Sequence, residues 1–199
     1  MKSMKFKLIG TTPLMMNNPQ TVNPLSYYSK ELKKLTSKRT KQDEDMEEIF
    51  HIKFLSSLYM NNRGQYIVPL DMIEQTLIAA AKENKLGKKF ERSVVVPQDA
   101  ILEFKHKNCT PEELYQNFAE LYVDIRPVGV MKAKIPTARA IFPEWSLETE
   151  IFFDETQLND SDIAYALDVA GQRYGIGTYR KKFGKFRIEE IKSKKRNNQ

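Results

Sequence analysis

The chain has 199 residues, of which 41% are hydrophobic and 29% charged, with a net charge of +6 at pH 7. A single cysteine, Cys109, excludes an intrachain disulfide framework and a multi-cysteine zinc site, and points to a cytoplasmic protein. There is no 18-residue apolar run, and the start MKSMKFKLIG lacks the apolar segment of a signal peptide, so no membrane association is expected.

Met4 to Gly10 alternates Met4, Phe6 and Leu8 against lysines and predicts a first strand. The Pro- and Asn-rich TTPLMMNNPQTVNPL that follows resists regular structure. Ser26 to Leu35 predicts a short basic helix. A longer one is expected from about Lys41 to Leu58, with Met46, Ile49, Phe50 and Phe54 facing inward. Its acidic first turn, QDEDMEE, complements the helix dipole and needs no metal. Leu58 to Met60 and Gln65 to Val68 flank Asn61–Gly64 as a hairpin would. Pro69-Leu70-Asp71 opens a helix through MIEQTLIAAAKENK, with Asp71 and Glu74 at capping-box spacing and Gly87 as its stop.

Two short strands are expected around Pro97 between Phe90 and Phe104, then a helix from Pro111 to Leu121. Strands follow over Val123–Ile135 and Ala140–Phe153, with Ala138-Arg139 near their junction. Asn159 or Asp160 caps a last helix carrying Ile163, Leu167 and Ala170 at helical spacing. Arg187 to Ile191 reads as an edge strand. Taken together, this order predicts a single α+β domain over residues 1–192. It would have a ferredoxin-like (RRM-like) core with an antiparallel sheet, a helical insertion (about 11–57) and a β-rich one (about 90–140), then a disordered basic tail, 193–199.

Basic residues are segregated along the chain. Lys30–Lys41 holds six against Glu31 alone; Ile125–Pro143 holds four and no acid; Arg180–Arg196 holds nine against Glu189 and Glu190. Such runs make local fields stronger than the net charge implies and favour a polyanionic partner. The most informative segment is GQRYGIGTYRKKFGKF, from Gly171 to Phe186. Its glycines permit close backbone approach, its basic groups suit phosphate, and its aromatics can stack on unpaired bases.

Three pieces together resemble the RAMP superfamily, the RNA-binding backbone proteins of CRISPR effector complexes. KFKLIGTTPLMM is similar to the family's opening strand and nucleic-acid-facing loop. QYIVPLDMIEQTLIAAAK is similar to its proline-led first helix, and GIGTYRKKFGKF to its glycine loop. PLxxxxKxLKxLTxKR and FPEWSL-type segments also resemble small phage-encoded and prophage proteins. The resemblance implies one groove fed from three places. Lys33, Lys34, Lys38 and Arg39 would contact phosphates, and Lys132, Lys134 and Arg139 would line the groove from strands. Gly175, Gly177, Tyr179, Arg180, Lys181, Lys182 and Lys185 would supply the glycine loop, whose backbone N–H groups can hold an anion.

Catalysis is the minority reading. His51, in EEIFHIKF, fits a partly buried, hydrogen-bonded position, whereas His106, in EFKHKNC, reads as exposed and is the one candidate general base. No Walker-type sequence or cofactor motif occurs, and Asp154, Glu155, Asp160 and Asp162 sit where a helix N-terminus favours acids without a metal. Trp145 fits a core position, and Tyr27-Tyr28 beside the basic run suit either stacking or packing. The expectation is a non-catalytic protein that binds single-stranded RNA or DNA, with RNA favoured by the resemblance, and that self-associates along the strand. The alternatives are a phage interaction or anti-defence protein that blocks a host nucleic-acid-binding complex, and a RAMP-type endoribonuclease using His106.

Overall fold

The computed structural model describes residues 1–130, 133–180 and 182–191. The predicted first strand forms as β1 (Lys2–Gly10), where Met4, Phe6 and Leu8 are buried and the lysines point out. It pairs antiparallel with β8 (Ser146–Phe153) on one side and with β9 (Phe186–Glu190) on the other. β8 in turn pairs with the short β4 (Val94–Val95), giving the order β4-β8-β1-β9. Two helices lie in the intervals that a ferredoxin-like core requires: α3 (Leu70–Ala81) between β1 and β4, and α6 (Asp160–Val169) between β8 and β9. The protein is therefore α+β with a ferredoxin-like sheet. Phe6, Leu8, Leu147 and Ile151 from the sheet share one core with Ile73 and Leu77 of α3 and Ile163 and Leu167 of α6.

Two insertions are built onto this core. After β1 the chain forms β2 (Leu14–Met15), a 3-10 turn at Pro19–Val22, α1 (Tyr27–Thr36) and α2 (Asp43–Ser57). In the middle, α5 (Pro111–Tyr122) leads into a long antiparallel hairpin of β6 (Val123–Val130) and β7 (Ala133–Phe142). β2 joins the outer side of β7, making a second sheet in the order β2-β7-β6. α2 packs on β7, and α1 packs on α2. Among the described residues no helix is long and apolar enough to cross a membrane.

Several local expectations are corrected. The hairpin around Asn61–Gly64 is not among them: Met60 bridges Tyr66, the Asn61 N–H donates to the Gln65 carbonyl and the Ile67 N–H to that of Tyr59 (both 3.0 Å), and β3 (Ile67–Val68) also pairs with β5 (Ala100–Ile101). Asp71 and Glu74 do not form a capping box. Asp99 accepts from the Leu70 N–H (2.9 Å), and Glu74 accepts from the Val96 N–H (2.7 Å), so both acceptors serve a segment brought in by tertiary folding. α3 ends at Ala81, and Gly87 begins a further helix, α4 (Gly87–Ser93), instead of stopping α3. Ala138 and Arg139 lie within β7, and the turn to β8 comes later, at Pro143–Trp145. On α2 the buried face includes Ile52, while Met46 and Phe50 are only partly covered. The predicted tail, 193–199, lies outside the described residues.

Candidate nucleic-acid interface

The glycine loop owes its shape to the first loop of the chain. α6 runs into a π-helical turn, Ala170–Tyr174, closed by the Gly175 N–H donating to the Ala170 carbonyl (2.8 Å). The loop folds back on itself through the Ile176 N–H to the Gly184 carbonyl (2.9 Å). It is then fastened to the β1–β2 segment by two more bonds, Gly184 N–H to Pro13 carbonyl (2.7 Å) and Thr178 N–H to Met15 carbonyl (2.9 Å). A β-carbon on Gly177 would fall 2.4 Å from the Met15 carbonyl oxygen, and one on Gly184 would fall 1.8 Å from that of Ile176. These glycines are thus required by protein backbone, at φ of +83° and +73° respectively.

Because β2 is paired to β7, docking the loop on β2 sets it beside the β6–β7 hairpin. Register then sorts the hairpin's side chains. Arg126 lies opposite Thr137 and Asp124 opposite Arg139, so these four share one face. Lys134 lies five residues from Arg139 on β7 and opposite Gly129, which places it on the other face. The expected pairing of Lys134 with Arg139 in one groove is therefore not what the strand presents. Lys132 and Lys181 lie outside the described residues.

On the face shared by Arg126 and Arg139, both guanidinium groups reach the ring of Tyr179, at 5.3 and 5.4 Å from its centroid. Arg126 also lies 4.8 Å from the centroid of Phe183, over which Lys182 sits at 5.8 Å. Tyr179 is 40% exposed and holds φ at +54°, a conformation that costs a non-glycine residue on the order of 1–3 kcal/mol and is kept only where its surroundings impose it. Cation–π attraction to two guanidinium groups is one such constraint. Arg126 forms an ion pair with Asp124, while Arg139 donates from Nε to Asn17 Oδ1 (3.1 Å).

Lys53 of α2 completes the cluster. Its ammonium donates to the Pro136 carbonyl and to Thr137 Oγ1, each at 3.4 Å. Burial, then the positive charge of Arg139, lowers its pKa from the ordinary lysine value. Three cations, Lys53, Arg126 and Arg139, thus lie on one face, where Asp124 is the one carboxylate in an ion pair with them among the described residues. A partly desolvated like-charge group is stabilised by an anion. Neither Lys53 nor Asn17 was singled out by sequence reasoning, and Arg126 only as part of a basic run; no local pattern marks a lysine in an acid-led helix as the partner of a strand more than 80 residues away.

The remaining sequence-predicted residues divide. Lys33, Lys34, Lys38 and Arg39 ride on α1 and the turn after it, one layer further out on α2. Two of them are already paired, Lys34 with Glu31 and Lys38 with Asp45, both at 2.6 Å. Lys185 is half-buried; its N–H donates to Thr12 Oγ1 (2.9 Å) and its carbonyl accepts from the Thr11 N–H (2.8 Å). Arg180 is exposed and faces α3 across a cleft. Gly175 also holds positive φ, +71°, where a β-carbon would meet the Phe183 carbonyl.

His106 is not exposed as expected. Its ring stacks on Phe118 (4.1 Å between centroids, 20° between planes), and Nδ1 is 2.8 Å from the Tyr122 hydroxyl. Phe118 departs from helical geometry inside α5, so the imidazole braces a kink just before the hairpin. His51 packs on the Tyr115 ring, but its Nε2 is buried with no hydrogen-bond partner among the described residues, unlike the bonded position expected. Trp145 is buried, its indole N–H donating to the Thr12 carbonyl (2.9 Å). Tyr27 is exposed and meets Tyr28 edge-on. Asp154 accepts from Thr156, Asp160 pairs with Lys2, and Asp162 belongs to the Asn159 capping box.

No protein-family model matches the chain, and no curated protein matches it in sequence. Among solved structures, it is similar to a chain in the cryo-EM structure of the type III-B Cmr-beta complex bound to cognate target RNA. The TM-score is 0.54 at 15% identity, over 96% of this chain and 61% of that one. Oligomeric Cmr4 from Pyrococcus furiosus aligns at 12% identity over 97% of this chain and 100% of its own, with a TM-score of 0.41. This chain therefore spans about three fifths of the Cmr-beta chain. At such identity the Cmr-beta likeness speaks to the fold and leaves the site residues to their own chemistry.

Proposed function

We propose that this protein is a RAMP-like, non-catalytic binder of single-stranded nucleic acid, with RNA preferred to DNA, and that copies assemble side by side along the strand. The observation that carries the reading is the convergence of Arg126 and Arg139 on the ring of Tyr179, with the Lys53 ammonium bonded to Thr137, which shares their face of the hairpin. Guanidinium and ammonium groups neutralise successive phosphates, and an exposed aromatic edge beside them offers contact to an unpaired base. The preference for RNA and for assembly is supported by the sequence resemblance and by a shared fold with a chain of an RNA-bound complex.

Fluorescence anisotropy on labelled single strands tests this. With about four to six phosphate contacts per copy, log K should fall against log[salt] with a slope of roughly −3 to −4. Ribo- and deoxy-oligonucleotides of one sequence compare the sugars, and sedimentation on strands of increasing length reports assembly. No binding to either strand at ~50 mM salt overturns the reading.

A further inference from the structure

The far flank of the glycine loop, away from the hairpin, closes a cleft of about 250 Å³ against α3, and this cleft plays no part in the cation cluster. Asp71, Met72, Gln75 and Thr76 form its helical wall, spaced so that they share one stripe of α3. Gly177 and Arg180 form the opposite wall. The floor is chemically quiet: the Thr76 hydroxyl donates to the Met72 carbonyl (2.7 Å) and approaches that of Gly175 (3.3 Å), and Thr76 is buried. The wall at Gly177 is held in place by the Thr178 N–H bond to Met15. Around this mainly apolar slot, the exposed Asp71, Gln75 and Arg180 supply an acceptor, an amide and a guanidinium.

A slot with apolar walls and a rim of mixed donors and acceptors suits a flat heterocycle with a polar edge, and this one is smaller than the roughly 300–1,000 Å³ of drug-sized sites. Arg180 directly follows Tyr179 in the chain, so the cleft and the cation cluster lie on two flanks of one loop, and a strand held at Tyr179 has to cross that loop to reach the cleft. We propose that the cleft holds one unpaired nucleobase of the bound strand, with Met72 against its face and Asp71, Gln75 and Arg180 at its edge. The proposal rests on the nucleic-acid reading above. It adds a reason for single-strand selectivity, because a paired base must first be unpaired and unstacked to enter.

The test uses the full-length protein and two versions of one oligonucleotide, one normal and one abasic throughout, each as RNA and as DNA. The ε-methyl resonance of Met72, assigned with Met72→Leu, reports the cleft directly. A normal strand of either sugar should move it through the ring current of the seated base, and the abasic strand should not. The normal strand should also bind roughly 10-fold more tightly than the abasic one. In Gln75→Trp, whose indole fills the slot from an exposed position, that difference should shrink to what base contact at Tyr179 alone supplies, which Tyr179→Leu in the same background measures. A normal strand that binds without moving the Met72 methyl overturns the cleft and leaves the nucleic-acid reading standing, as does an abasic strand that moves it equally. A protein that binds no strand overturns both.

Discussion

Gly177 stands where any β-carbon would press on the carbonyl oxygen of Met15, at 2.4 Å, while its φ of +83° already disfavours other residues. The position looks like a place for ligand phosphate, yet what excludes a side chain is the protein's own β2. Gly177→Val should therefore act on stability, by roughly 1–3 kcal/mol or more once the overlap with backbone is added to the φ cost. At about 2–4 °C per kcal/mol for a chain of this size, the melting temperature should drop by several degrees. Affinity for an abasic strand, corrected for the folded fraction on the same sample, should hold near the parental value, because Gly177 otherwise lines only the proposed base cleft; lost abasic-strand affinity with a parental melting point would return the residue to the phosphate.

Arg139→Ala should remove one phosphate contact, and Arg126→Ala, whose guanidinium already pairs with Asp124, a weaker one. For Arg139→Ala the salt slope should become shallower by about 0.7 and affinity at ~50 mM salt should fall roughly 10-fold, alike for all sequences. Tyr179→Leu should weaken binding through both arginines at once, whereas Tyr179→Phe, which keeps the ring face, should stay within about twofold of the parent. Anisotropy titrations at three salt concentrations check all four variants.

The basic insertion should contribute unevenly. Lys34 and Lys38 already face Glu31 and Asp45, so the charge of each is partly neutralised before a phosphate arrives. Lys53→Ala should therefore weaken binding more than Lys34→Ala or Lys38→Ala, with Lys33→Ala and Arg39→Ala between them. An order in which Lys34 or Lys38 dominates would move the interface onto α1.

Lys53 also sets an alkaline signature with opposite signs for folding and binding. Its folded pKa lies below the usual lysine value of about 10.4, through burial and then Arg139. Between those two values the unfolded chain holds a proton that the folded chain has released, so this group's contribution to stability rises with pH. Over the same window the site loses a cation, and affinity for the polyanion falls. Denaturant melts and titrations from pH 8 to 10.5, compared with Lys53→Met, should show both trends in the parent and neither difference in the variant.

His106→Ala should lower the melting temperature, because it removes the stack on Phe118 and the partner of the Tyr122 hydroxyl. No RNA cleavage is expected from either protein. Defined fragments made by the parent and absent with His106→Ala would overturn the non-catalytic reading.

Much of the fold was legible because its determinants are short-range. Alternation in Met4, Phe6 and Leu8 needs only a strand with one buried face, and Asn159 with Asp162 caps α6 within a single turn. The parity of β7 was not legible: with the strand read as ending at Ile135, Lys134 and Arg139 fell on separate elements, whereas on the continuous β7 their odd spacing puts them on opposite faces. What the tertiary structure alone decided is who meets whom. Asp99, 29 residues beyond Leu70, replaces the local cap of α3; β3 takes β5 as a partner beyond its own hairpin; Lys53 crosses 84 residues to reach Thr137. Such pairings depend on which apolar surfaces bury one another, a property of the assembled core rather than of any window of sequence. The cation cluster exists because α2 and the glycine loop are both packed against the same hairpin, one directly and one through β2.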